Sequence, residues 1–119
     1  NSHMGSKYSE NLEAMEELAS MLRERRLFYI DSLTSPNSQG VTAARRTGVP
    51  SSKRDMFLDN VQDQEHICTR LEELAAIADR RGSAIGIGHP YPETLNALVE
   101  CAPKVLKDIE IVGVDRLLE

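Results

Sequence analysis

The sequence predicts an α/β fold built from parallel βαβ units, and three observations carry that expectation. Short apolar runs alternate with stretches of helical spacing, the connections between them are short, and ionisable residues recur at the ends of the runs. The chain has 119 residues, 40% hydrophobic and 28% charged, which suits one soluble domain or a large piece of one. Aromatic residues make up 4% and Trp is absent, so Leu, Ile, Val, Ala and Met must build the core.

A helix is expected first, from Ser9 to Arg25, with Ser9 as N-cap and Leu12, Met15, Leu18, Ala19 and Leu22 on its stripe. The period then changes, and Leu27-Phe28-Tyr29-Ile30 reads as a buried strand ending at Asp31. Turn residues from Ser32 to Ser38 lead to a short helix from Gln39 to Thr47, which Gly48 and Pro50 stop. Met56-Phe57-Leu58 is the second strand, ending at Asp59-Asn60. A long helix runs from Asp63 to Arg81, with Ile67, Leu71, Leu74, Ala75 and Ala78 inward and Gly82 closing it. Ala84 to Gly88 forms the third strand, ending at His89. A Pro-initiated helix covers Pro92 to Ala102, with Leu95, Leu98 and Val99 on its stripe. Ile109 to Val114 is the fourth strand, followed by Asp115 and a terminal helical turn. One parallel sheet is expected to hold all four strands.

Composition excludes several functions. The formal net charge is −5, with no basic stripe and no interleaved aromatics, which argues against a nucleic-acid partner. Cys68 and Cys101 lie far apart without a CxxC, so a zinc finger is excluded. Each cysteine reads as a small buried side chain rather than half of a disulfide. No apolar run reaches the length of a membrane span.

Asp31, Asp59, His89 and Asp115 each stand just after a strand. In parallel α/β folds the strand C-terminal ends share one edge, where active sites are built. Asp31, Asp59 and His89 are expected on that edge, although an Asp there also serves as turn former or helix cap. Asp115 reads as a cap. In SAIGIGHPYPETL, Gly86 and Gly88 mark close approach of another group. Pro90 and Pro92 stiffen the backbone around His89, whose imidazole suits proton transfer near neutral pH. His66, in the charged first turn of a long helix, reads as surface.

The runs LFYIDSLTSPNS, TGVPSSKRDMFLDN and RRGSAIGIGHPYPETLNAL, in that order, resemble the C-terminal half of the divergent polysaccharide deacetylase family. The resemblance implies part of an irregular (β/α) barrel of the polysaccharide deacetylase type. Residues 1–119 would be a single partial domain, without the N-terminal half and its Asp-Asp pair. Asn1-Ser2-His3-Met4-Gly5-Ser6 has the letters that tag removal leaves, but it matches the family's Asn-Asn-His-Met-Gly-Ser with one departure and is read as native.

The family likeness implies a metal-dependent carbohydrate deacetylase acting on N- or O-acetyl groups of a glycan. His89 would protonate the leaving group, with Asp31 orienting it. Ser32, Thr34, Asp59 and Asn60 would bind substrate, and His3 would lie on the side of a divalent metal, zinc by analogy. Acetylated glycan is the implied partner, in the periplasm or cell envelope. The chain would pair with the absent half or with itself. The alternative is a non-catalytic glycan-binding or cell-envelope module on a degenerate deacetylase fold.

Overall fold

Two short βαβ crossovers organise the chain, and each pairs its own strands in parallel. A computed structural model describes residues 1–2 and 5–119. They divide into a first unit, Asn1–Arg54 with Val114–Glu119, and a second unit, Asp55–Gly113.

In the first unit, helix α1 (Ser6–Ser9) precedes α2 (Leu12–Glu24). The N-cap of α2 is Asn11 rather than Ser9, because the Asn11 side chain accepts from the Ala14 N–H at 3.1 Å. Ser9 instead closes α1, its hydroxyl donating to the Ser6 carbonyl. Met15 and Ala19 are buried with Leu12, Leu18 and Leu22 packed beside them, which is the stripe that spacing predicts. Arg26 leaves α2 at φ 55°, and the Leu27 N–H reaches back to the Leu22 carbonyl at 2.9 Å. That turn consumes Leu27 and Phe28, so strand β1 spans Tyr29–Asp31 and both preceding side chains are exposed.

Helix α3 (Gly40–Thr47) carries the chain from β1 to β2 (Ser51–Lys53). β1 and β2 run in register from Tyr29 opposite Ser51 to Asp31 opposite Lys53. Ser-Ser-Lys has no apolar run to predict a strand. It is made extended by its neighbours: β1, and Glu119, which exchanges backbone bonds with Ser51 at 3.0 and 3.3 Å. Met15, Ala19, Tyr29, Ala43, Ala44 and Val49 form the core of this unit.

The second unit orders β3 (Met56–Phe57), α4 (Gln64–Arg81), β4 (Gly86–Ile87), α5 (Pro92–Glu100) and α6 (Ala102–Val105). Asp63 caps α4 by accepting from the His66 N–H at 2.8 Å, and Gly82 ends it at φ 86°. Asp55 then anchors the next strand. Its carboxylate accepts from the Ile85 N–H at 2.8 Å and pairs with Arg81 at 2.8 Å. Met56 faces Gly86 and Phe57 faces Ile87 across the parallel pair. Met56, Leu58, Ile67, Leu71, Ala97 and Ala102 make the core.

Four expectations are corrected. The single four-stranded sheet is replaced by two separate parallel pairs. The fourth strand is not formed: residues 109–113 are irregular, and a 3₁₀ turn spans Val114–Leu117. Ile111 is 76% exposed, and residues 109–113 belong to neither strand pair. On α5 the stripe of Leu95, Leu98 and Val99 lies outward, at 53, 41 and 75% exposure, while Thr94 and Ala97 face inward. Spacing marks an apolar face but not the direction it points. Finally, Cys68 of α4 and Cys101, at the junction of α5 and α6, form a disulfide with Cα atoms 5.7 Å apart. Folding α5 and α6 onto α4 brings together residues that are 33 positions apart. No helix among the described residues is long and apolar enough to cross a membrane.

Closing a loop of that length removes denatured-state entropy worth about 2–4 kcal/mol. The double substitution Cys68→Ala with Cys101→Ala is therefore expected to lower unfolding stability by about that amount. Urea denaturation without reductant measures it, and reduced wild type should fall to nearly the same midpoint.

Candidate active site

The register of β3 and β4 carries over to the residues just beyond each strand. With Phe57 opposite Ile87, two further residues along each strand bring Asp59 level with His89 at the same C-terminal edge. Neighbouring strands lie about 4.8 Å apart, so two side chains placed there are within bonding reach. His89 Nδ1 lies 2.9 Å from Asp59 Oδ1, and the His89 backbone N–H donates to Asp59 Oδ2. An ionised carboxylate only accepts, so Nδ1 carries a proton and Nε2 is the nitrogen turned from Asp59.

The two side chains differ in their exposure. Asp59 has none, whereas the His89 side chain is 36% exposed. The imidazole lies near-parallel to two aromatic rings, Tyr91 at 5.2 Å and 28° and Phe57 at 6.3 Å and 21° between centroids and planes. Thr94, buried in the first turn of α5, donates to Asp59 Oδ2 at 2.9 Å. Gly88 leaves space for this arrangement, since a Cβ there would sit 3.2 Å from both Asp59 Oδ2 and the Thr94 methyl. Burial alone would raise the Asp59 pKa. The hydrogen bonds from the His89 N–H, the His89 ring and Thr94, with attraction to the imidazole, outweigh it and hold the carboxyl below its ordinary 3.8.

Asp31 is engaged elsewhere. It ends β1 and is 2% exposed, with Oδ1 accepting from the Leu33 N–H at 2.9 Å and Oδ2 from the Ser38 hydroxyl at 2.7 Å. Ser38 Oγ in turn accepts from the Gly40 N–H at the start of α3, at 3.3 Å. Asp31 therefore pins the loop from 32 to 39, and the carboxylate that orients His89 is Asp59. This corrects the expectation for both residues. Asp59, expected to contact substrate, is buried and holds the imidazole instead.

Arg54 clamps the same loop. Its Nε donates to the Ser32 carbonyl at 2.6 Å and its Nη2 to the Leu33 carbonyl at 3.0 Å, where Leu33 stands at φ 47°. Ser32 is buried and its hydroxyl accepts from the Asn1 side chain at 3.0 Å, so it supports the loop. Thr34 and Asn60 are exposed. His3 lies outside the described residues. Sequence reading missed Thr94, Tyr91 and Phe57. A polar residue two positions after Pro92, within the stretch already singled out for His89, was the available signal for Thr94.

The sequence model of the divergent polysaccharide deacetylase family matches residues 1–118. The chain is 38% identical over 118 residues to the uncharacterized protein YibQ of Escherichia coli K12, covering 99% of this chain and 37% of that protein. It is 34% identical over 117 residues to an uncharacterized protein of Haemophilus influenzae, covering 98% of this chain and 42% of that one. The crystal structure of an uncharacterized protein from Agrobacterium tumefaciens C58 superposes with a TM-score of 0.91 at 28% identity, over 97% of this chain and 47% of that chain. The chain thus spans less than half the length of each of these proteins.

A depressed carboxyl pKa has a definite pH consequence. The stabilisation is present in full above the unfolded value of 3.8 and is lost as pH falls through the lower folded value. The stability gap between wild type and Asp59→Asn should therefore be wide near neutral pH and narrow as the solution is acidified past that value. Urea midpoints of both proteins across the acid range measure it.

Proposed function

The chain belongs to the divergent polysaccharide deacetylase family, and from that premise we propose that it forms part of a carbohydrate deacetylase with His89 as the proton-transfer group. The observation that carries this reading is the Asp59–His89 pair beyond two parallel strands, a buried carboxylate on one nitrogen of a partly exposed imidazole. In the proposed reaction, water adds to the acetyl carbonyl and the bond from that carbon to the glycan nitrogen or oxygen breaks. His89 Nε2 takes up the proton that the attacking water gives up and passes it to the departing amine or alkoxide, and acetate leaves with the water oxygen. Asp59 keeps the ring in one orientation and stabilises the imidazolium that holds the proton.

Asn60, exposed in the loop after β3, is a proposed contact to the sugar. The two parallel pairs are proposed to belong to an irregular (β/α) barrel of this family's type, a reading that the likeness to the Agrobacterium protein supports. In deacetylases of this superfamily a divalent metal polarises the acetyl carbonyl. Among the described residues no group of three His, Cys, Asp or Glu side chains could hold such an ion. The zinc expectation therefore finds no ligand set within them. The Cys68–Cys101 disulfide supports an oxidising compartment, in keeping with the cell envelope.

The test is acetate release from acetylated glycans by the protein. His89→Gln, whose amide still reaches Asp59 but carries no proton to transfer, is expected to lose about 10²–10⁴-fold in rate with unfolding temperature near wild type. His66→Ala, at an exposed position of α4, should change neither quantity. Full turnover in His89→Gln would end this reading. Glycan retained by wild type without acetate release would favour the binding module instead.

A further inference from the structure

Thr94 stands out among the helical hydroxyls of this chain. Ser20, Thr47 and Thr69 each donate to the carbonyl four residues earlier in their own helix, at 2.9, 2.8 and 3.2 Å. That bond is open to a hydroxyl well inside a helix, whereas Thr94 is the third residue of α5 and has Pro90, outside the helix, four residues before it. Thr94 donates out of its helix instead, to Asp59 Oδ2 at 2.9 Å, and it is 3% exposed. Pro92 begins α5 and so sets the turn on which Thr94 stands. Its methyl group faces the space left by the missing Cβ of Gly88.

We propose that Thr94 is the positioning residue of the His89 site, fixing the Asp59 carboxylate so that Oδ1 faces Nδ1 and Nε2 is held toward the reacting group. The proposal rests on the reading of His89 as the proton-transfer group. Two donors converge on Oδ2, the Thr94 hydroxyl and the His89 N–H, which leaves Oδ1 for the ring. The backbone donor is shared with any residue at position 89, so the side-chain donor is the one that sequence can set. A charge-assisted bond to a buried carboxylate is stronger than one between neutral groups and resists rotation of the carboxylate. Behind metal-bound imidazoles, loss of the hydrogen-bonded partner typically changes activity about 10–100-fold, and that sets the scale expected here.

Imidazole nitrogen NMR reads the tautomer of His89 directly and needs no substrate. Thr94→Val keeps the shape and removes the hydroxyl; Thr94→Ser keeps the hydroxyl. In wild type and Thr94→Ser the neutral ring should carry its proton on Nδ1. In Thr94→Val the ring should shift toward a mixture of tautomers, with kcat lowered about 10-fold and KM unchanged. Asp59→Asn is the reference and must disturb the same signals. Wild-type ring signals in Thr94→Val overturn the proposal. If Thr94→Val and Thr94→Ala both fail to fold while Thr94→Ser folds, Thr94 serves stability alone and the proposal is equally overturned. A tautomer shift in a protein that releases no acetate supports the positioning role and removes the deacetylase reading, so the two fail separately.

Discussion

The in-register pairing of Met56 with Gly86 and Phe57 with Ile87 is the constraint on which the second unit depends. Two residues of ladder are short, and a side chain and a further backbone bond reinforce them. Asp55 ties the entrance of β4 to β3 and to Arg81 at the end of α4, and Leu58 N–H bonds to the Ile87 carbonyl at 2.9 Å beyond the ladder. A slip of one residue would turn each side chain to the opposite face. Asp59 would then lose the His89 N–H, the ring and Thr94 together, leaving an unpartnered buried carboxylate. The polar site and the strand register therefore specify each other.

Asp31 and Asp59 show how one local pattern yields two different uses. Each follows an apolar strand, each is buried, and each spends its oxygens on neighbouring donors. The donors around Asp31 are a backbone N–H two residues on and a serine hydroxyl of its own loop, so its charge shapes the loop that leads to α3. Around Asp59 they come from another strand and another helix, so its charge orients a titratable ring. What separates a structural carboxylate from one that serves a functional side chain is the origin of its donors.

That distinction also explains how far the sequence could be read. Helix α4 was legible because stripe, cap and stop signals coincide, with Asp63 before it and Gly82 after it, whereas α2 was legible from its stripe and α3 from its stop at Gly48. His89 was legible because two glycines and two prolines around a histidine fit neither a helix stripe nor an ordinary strand. Strand β2 was illegible because its extended form comes from β1 and Glu119 rather than from Ser-Ser-Lys itself. The partner of His89 was misread for a similar reason. Choosing between Asp31 and Asp59 requires knowing which strand lies beside β4, and that is a property of pairing, not of spacing. The Cys68–Cys101 bond and the outward face of α5 depend likewise on how helices fold back.

The disulfide has a topological consequence. It closes residues 68–101 into a covalent ring that contains β4, His89, Thr94 and all of α5. Asp59 lies outside the ring and meets it only through hydrogen bonds. A protease cut within the ring, at the exposed Gly82 or Pro90 for example, opens the backbone without separating the molecule into pieces. A cut between Asp59 and Cys68, at the exposed Val61 or Gln62, releases the imidazole from covalent connection to its carboxylate partner. The site is thus protected against nicking on the side of the histidine and open to it on the side of the aspartate.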